Sequence, residues 1–283
     1  MLLAMAFLLL ASACSTIRFT YDHGDTLLYW WLNAYIDIDS DQKAFVKRDI
    51  DQLFQWHRST QLQDYSNILR TAQRQLGGNP TQQDLLNDYK LVRNETRELL
   101  LKSVPDLVDL ARSVKPDQID RMEKKFEKNN ADYRKKFMSG DFDHRKEVRY
   151  DKAMDQFTLW FGSFSREQEA QIRRLSDARP LDNDIWLQER MRRQRRIIET
   201  VRKIQAEKLS KEAATPLVAA LVKDTVDRFD SPERKAFFDG YVDTTSKFIL
   251  AVIQLTNAEQ RAHAQKRMQG WIDDFHTLAT ESQ

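Results

Sequence analysis

One side chain in this sequence has both the type and the setting for a specific covalent reaction. Cys14 is the sole cysteine among 283 residues and follows the stretch MLLAMAFLLLASA. A single thiol has no disulfide partner within the chain, so the chemistry open to it is modification from outside. The apolar run over positions 2–10 is far shorter than the roughly 20 residues a membrane-spanning helix needs. Followed by small side chains, it reads as a cleaved export signal.

Leu10, Ala11, Ser12 and Ala13 ahead of Cys14 resemble a bacterial lipobox, in which small residues admit the scissile backbone to a narrow peptidase site and the cysteine is then acylated. Two features depart from the usual pattern. The position three before the cysteine is Ala rather than Leu, and no Lys or Arg precedes the apolar run, which raises the expectation of a true start upstream of Met1. The expected organisation is a signal peptide over residues 1–13, a lipidated and exposed tether over 14–25, and a helical domain over 26–283. Each buried methylene of an acyl chain contributes about 0.8 kcal/mol to membrane attachment. Ser15, a non-acidic residue after the cysteine, points to the outer membrane, with the protein facing the periplasm. The competing reading is a free thiol packed in an N-terminal helix.

Other reactive groupings are sparse. His23, His57, His144, His263 and His276 fall in no HExxH or HxxxH spacing, and Asp273, Asp274 and His276 form a local acid–histidine group without further ligands. No GxSxG, Walker loop or GxGxxG is present. The sequence predicts no catalytic residues, no metal and no cofactor, and hence action by binding rather than by enzyme chemistry.

Charge supplies the second candidate site. The net charge is only +2, yet residues 115–211 carry a formal +7. The sharpest run is Arg190, Arg192, Arg193, Arg195 and Arg196, followed by Arg202 and Lys203. On a helix these residues are a candidate surface for an anionic partner: an anionic lipid, lipopolysaccharide phosphates or an acidic envelope protein. Nucleic acid is a poor partner for an exported chain. The bland reading is a solvated helix face neutralised by Glu189 and Glu199.

The elements that must position these residues are helices. Seven Gly, six Pro and 31% charged residues disfavour a turn-rich strand fold, and apolar residues recur at three and four. Four helix openings share an acid–Gln pair, in segments 38–58, 114–137, 164–175 and 255–271. Asp39 with Gln42, Ser165 with Gln168 and Asn257 with Gln260 have capping-box spacing, and Pro116 suits a first helical position. Breaks are expected at Gly77-Gly78-Asn79-Pro80, from Ser139 to Asp143, at Arg179-Pro180-Leu181 and at Asp230-Ser231-Pro232. The fold expected is all-α, an elongated bundle of nine or ten helices, with a division into two lobes left open. Tyr29, Trp30, Trp31 and Tyr35 on the first helix are either helix-packing core or a headgroup-level aromatic group beside the anchor.

Two resemblances follow from these residues. Phe164-Ser165-Arg166-Glu167-Gln168 and, with one extra residue, the segment from Leu255 to Gln260 are similar to the LTxxQ motif of Spy-like periplasmic chaperones. Cys14-Ser15-Thr16-Ile17-Arg18, the run Tyr29-Trp30-Trp31-Leu32, and Trp56-His57-Arg58 with Gln61, Leu62 and Tyr65 resemble a family of uncharacterised proteobacterial lipoproteins, a domain of unknown function. That resemblance implies an α-helical lipoprotein and supplies no activity. The expected role is a binding or chaperone-like module for an envelope client, with a structural scaffold or adaptor of one envelope complex as the alternative.

Overall fold

A computed structural model describes residues 15–227 and 232–281, and among these every regular element is a helix. There are thirteen: α1 (Ser15–Asp22), α2 (Gly24–Ile36), α3 (Ser40–Thr60), α4 (Leu62–Gly77), α5 (Gln82–Lys102), α6 (Val104–Ser113), α7 (Pro116–Phe137), α8 (Phe142–Phe161), α9 (Arg166–Asp177), α10 (Asn183–Ala206), α11 (Lys211–Asp227), α12 (Pro232–Leu255) and α13 (Ala258–Thr280). The all-α expectation holds, while the count of nine or ten falls short. The additional joints carry little local signal. Gln61 between α3 and α4, and Ser103 between α5 and α6, keep near-helical backbone angles, so the 3.6-residue periodicity runs through them. Residues 15–22, read from sequence as part of an exposed tether, are helical. Cys14 and the segment 1–13 lie outside the described residues, as do Asp230 and Ser231.

Local chemistry accounts for most of the boundaries. Asp39 accepts from the backbone N–H groups of Asp41 and Gln42, and Ser165 and Asn257 accept from those of Gln168 and Gln260. Thr81 and Asp84 form a further capping box at the start of α5, just beyond the Gly77–Pro80 break. Gly78 at that break, φ −109°, is not left-handed, whereas Asp37, φ 59°, is the left-handed cap that closes α2. Gly77 instead allows α13 to come close, since a Cβ there would lie 3.1 Å from the Gln265 amide.

Two apolar cores form. The first joins Ile36 and Ile38 to Val46 and Ile50 of α3, Val104 and Val108 of α6, Ile119 and Met122 of α7, Ile198 and Ile204 of α10, and Val218 and Val222 of α11. The second gathers Leu76 of α4, Phe157 and Phe161 of α8, Ile172 of α9, Phe248 and Val252 of α12, and Ala264 of α13. The pairing of α4 with α13, and α5 packed against α4, α11 and α12, tie the two together.

Each core is closed by the same polar device. The acid–Gln openings meet in pairs. Gln42 of α3 and Gln118 of α7 exchange hydrogen bonds, Nε2 to Oε1, of 3.0 and 2.7 Å. Gln168 of α9 and Gln260 of α13 do the same at 2.9 and 3.0 Å. Each Oε1 also accepts from the backbone N–H of its own helix cap, at Asp39, Lys115, Ser165 and Asn257. Each Nε2 also donates to a carbonyl two residues before the partner's cap: Ser113, Asp37, Leu255 and Ser163. Every amide thereby fills both donor and both acceptor positions. Two copies of one pseudo-twofold clasp, with the same six contacts, hold two pairs of helix elbows.

Replacing one member strands the other in a buried site, where an unsatisfied polar group costs about 1–3 kcal/mol. Gln42→Met and Gln118→Met are each expected to lower unfolding free energy by about 2–3 kcal/mol, measured by urea denaturation. The double variant should lose clearly less than the sum; strict additivity would show that the two amides do not act as a unit.

Candidate functional site

The arginine run was the leading sequence-level candidate for a contact surface, and its geometry corrects that reading. Arg192 turns inward. Its guanidinium donates to Glu189 Oε2 and Oε1 at 2.9 and 2.7 Å and to both oxygens of Asp224 on α11 at 3.0 and 2.8 Å. The side chains of Arg192, Glu189 and Asp224 are only 11%, 2% and 7% exposed. The hydrogen bonds that Arg192 donates to Glu189, ahead of those it donates to Asp224, push its pKa further up. Arg193 reaches Glu189 at 3.3 Å and Arg196 reaches Asp224 at 3.0 Å. Arg190 goes the other way, donating to Asn130 Oδ1 of α7 at 3.1 Å with its guanidinium 6.0 Å from the Tyr133 ring centroid. Arg202 pairs with Glu123 at 2.7 Å.

Of the seven predicted contact residues, Arg195 and Lys203 remain as exposed side chains without a described partner, and Arg202 is exposed but paired. The run is therefore a structural network joining α10 to α11 and α7, with no continuous cationic face. Two buried carboxylates need this much cationic partnership because unpaired burial of either would be expensive.

The chemistry-bearing groups elsewhere are dispersed. Among the described residues no three His, Cys, Asp or Glu side chains form a group able to hold a metal. On α13, Asp274 is buried while Asp273 accepts from Gln269 at 2.8 Å and His276 is exposed. Burial raises the Asp274 pKa. His263 Nδ1 lies 2.8 Å from the Trp160 carbonyl.

One half-buried polar–aromatic cluster was missed in the sequence. The Tyr21 hydroxyl of α1 hydrogen-bonds His57 Nδ1 of α3. Tyr21 also meets the Phe54 ring edge-on at 6.2 Å, and Tyr65 lies 5.4 Å from the His57 ring. Burial raises the Tyr21 pKa and lowers that of His57. Arg18 to Glu281, at 2.8 Å, makes a second tie from α1 to the C-terminal end of α13. No local pattern signals a partnership between residues 36 apart in sequence.

The aromatic group on α2 divides. Tyr29 and Tyr35 pack against the first core, Tyr35 lying 5.6 Å from Phe126 and accepting from Asn129 Nδ2 at 2.9 Å. Trp30 and Trp31 point outward, 62% and 56% exposed.

Residues 34–212, more than half of the chain, match the family of unknown function DUF6279. The chain belongs to DUF6279. The match spans both members of the first clasp and Gln168 of the second, together with Glu189 and the arginines of α10 but not their partner Asp224. No curated protein and no solved structure matches this DUF6279 chain.

Two outcomes are expected from this geometry. Arg192→Gln should destabilise the fold by about 3–5 kcal/mol, as breaking a buried ion pair does, whereas Arg195→Gln should change stability by less than about 0.5 kcal/mol; parallel urea titrations compare them. For His57, a folded pKa below the ordinary value of about 6.5 means that the unfolded chain binds the proton more readily. The stabilisation is complete above that pH and is lost as pH falls through 6.5 towards the folded value. Wild type should lose more stability between pH 7 and pH 5 than His57→Asn does, as read from thermal melts; equal losses would remove His57 from the account.

Proposed function

We propose that this chain is a lipoprotein of the bacterial cell envelope, acylated at Cys14 after removal of residues 1–13 and facing the periplasm from the outer membrane, where it acts by binding an envelope client. The observation that carries the anchoring is the sequence MLLAMAFLLLASAC followed at once by helix α1, which is tied to the body through Tyr21–His57 and Arg18–Glu281. No described helix is long and apolar enough to cross a membrane. A lipid on Cys14 would attach the helical body through a structured lead-in.

Support for client binding comes from α5. This 21-residue helix has no fully buried side chain, and Tyr89, Leu91, Val92 and Leu101 are all exposed. Apolar side chains left open along one helix suit a partner that supplies the missing cover. The openings similar to LTxxQ segments of Spy-like chaperones contribute less, because their Gln side chains are consumed in the clasp.

The scaffold or adaptor reading draws on a different observation. Both clasps hold their helix elbows through fully bonded side chains, which favours one fixed surface over the adaptable surface of a promiscuous binder. Suppression of aggregation of several unrelated unfolded proteins by the full chain would favour the chaperone-like role, and a single stoichiometric envelope partner the adaptor.

The anchoring itself is tested by growth with labelled fatty acid. Cys14→Ala is expected to abolish incorporation into the chain and to move it out of the outer-membrane fraction; undiminished labelling would overturn the assignment.

A further inference from the structure

The outward face of α2 has a composition opposite to that of a water-facing helix. Its exposed positions are Thr26, Leu27, Trp30, Trp31 and Ala34, which fall on one stripe at three- and four-residue spacing, with no charged side chain among them. The opposite face is already satisfied: Leu28, Tyr29, Leu32 and Tyr35 pack on the first core, and Ile36 lies within it. Gly24 lets the start of the helix close on α3, since a Cβ there would sit 2.5 Å from the Phe54 ring. The stripe therefore stays outside because the helix is fixed from behind, with both indoles more than half exposed.

We propose that this stripe docks on the bilayer surface, seating Leu27, Trp30 and Trp31 at the boundary between headgroups and acyl chains of a membrane containing anionic lipid. The inference rests on the anchoring at Cys14 proposed above. Tryptophan favours that boundary because its ring is apolar and its N–H is polar.

Three observations identify the occupant. Cys14 directly precedes α1, whose eight residues span about 12 Å, so a lipid on Cys14 keeps Leu27 within roughly 20 Å of the membrane along the chain. Two cations from neighbouring helices lie beside α2: Lys47 of α3, 5.2 Å from the Tyr29 ring centroid, and Lys125 of α7, 5.7 Å from that of Tyr35, whose ring is 4.9 Å from that of Trp31. Such placement complements anionic headgroups beside inserted rings. The area is also too small for a stable pair of chains. A standard interface covers about 800 Å² per partner, whereas three large side chains supply at most about 150–250 Å² each and are already partly covered. A bilayer needs no minimum footprint when the protein is already tethered to it.

The test uses the full acylated chain in vesicles of phosphatidylethanolamine with phosphatidylglycerol as the minor component, some carrying phospholipid brominated near the headgroup. Tryptophan emission should be quenched by the brominated lipid. Trp30→Ser/Trp31→Ser should lose that quenching while remaining vesicle-bound with an unchanged melt. Leu27→Asp, which retains both indoles as reporters, should also reduce it. Absence of quenching in wild type, or quenching unchanged by these substitutions, would overturn the proposal. Equal quenching in purely zwitterionic vesicles would overturn its anionic part. Wild-type dimers that disappear in the double variant, without quenching, would reassign the face to a second copy. Fatty-acid content measured on the same preparations separates the two readings: acylated but unquenched protein defeats the docking alone, and quenched but unacylated protein defeats the anchoring alone.

Discussion

Tight elbows between helices create a debt of unpaired backbone groups, and the architecture of this chain depends on how two pairs of elbows settle it. The end of one helix leaves carbonyls without partners, and the start of the next leaves N–H groups without partners. Water cannot serve them where the elbows are buried. Glutamine at the third helical position is suited to the task because its amide carries an acceptor for its own cap and a donor for the facing elbow. Glutamate in both positions would set acceptors against each other, and asparagine is one methylene shorter. With Gln42 facing Gln118 and Gln168 facing Gln260, the first core is closed by one symmetric bond set and the second by another.

The arginine network poses a related problem with charge. Glu189 and Asp224 are buried carboxylates whose partners come from one helix, at spacings of three and four from Glu189, and from across the α10–α11 packing. A run of five arginines in seven residues must point in several directions around a helix, and here the directions have different tasks. Arg190 serves α7, Arg192 and Arg196 serve α11, and Arg195 faces solvent. Loss of Arg192 and loss of Arg195 are therefore physically unlike events, although the residues are three apart.

These two systems mark where the sequence was legible. Helix starts at Asp39, Pro116, Ser165 and Asn257 could be read because a cap and its third residue are local. Their pairing could not be read, because Gln42 and Gln118 lie 76 residues apart and Gln168 and Gln260 lie 92 apart. The arginine run was legible as a charge cluster but not as an interior network, since its deciding partner, Asp224, is 32 residues from Arg192. The α2 aromatics were legible as a group, yet periodicity could not say which rings face inward. Packing against Phe126 and Asn129, more than 90 residues away, decides it for Tyr35.

A structured lead-in would change what the proposed membrane attachment does to the protein. A flexible linker after an acylated cysteine would leave the body free to tumble above the bilayer, and exposed tryptophans would then meet lipid only in passing. Here α1 is bound to α3 through Tyr21 and His57 and to α13 through Arg18 and Glu281, so the proposed anchor and the α2 stripe belong to one body. At about 0.8 kcal/mol per buried methylene, two or three acyl chains already exceed what three partly covered side chains could add to affinity. The stripe's contribution in the proposed membrane-bound state is therefore orientation. Two points of contact remove a rotational freedom that one point leaves, and they fix which of the other helical faces, including the open side of α5, is held away from the lipid.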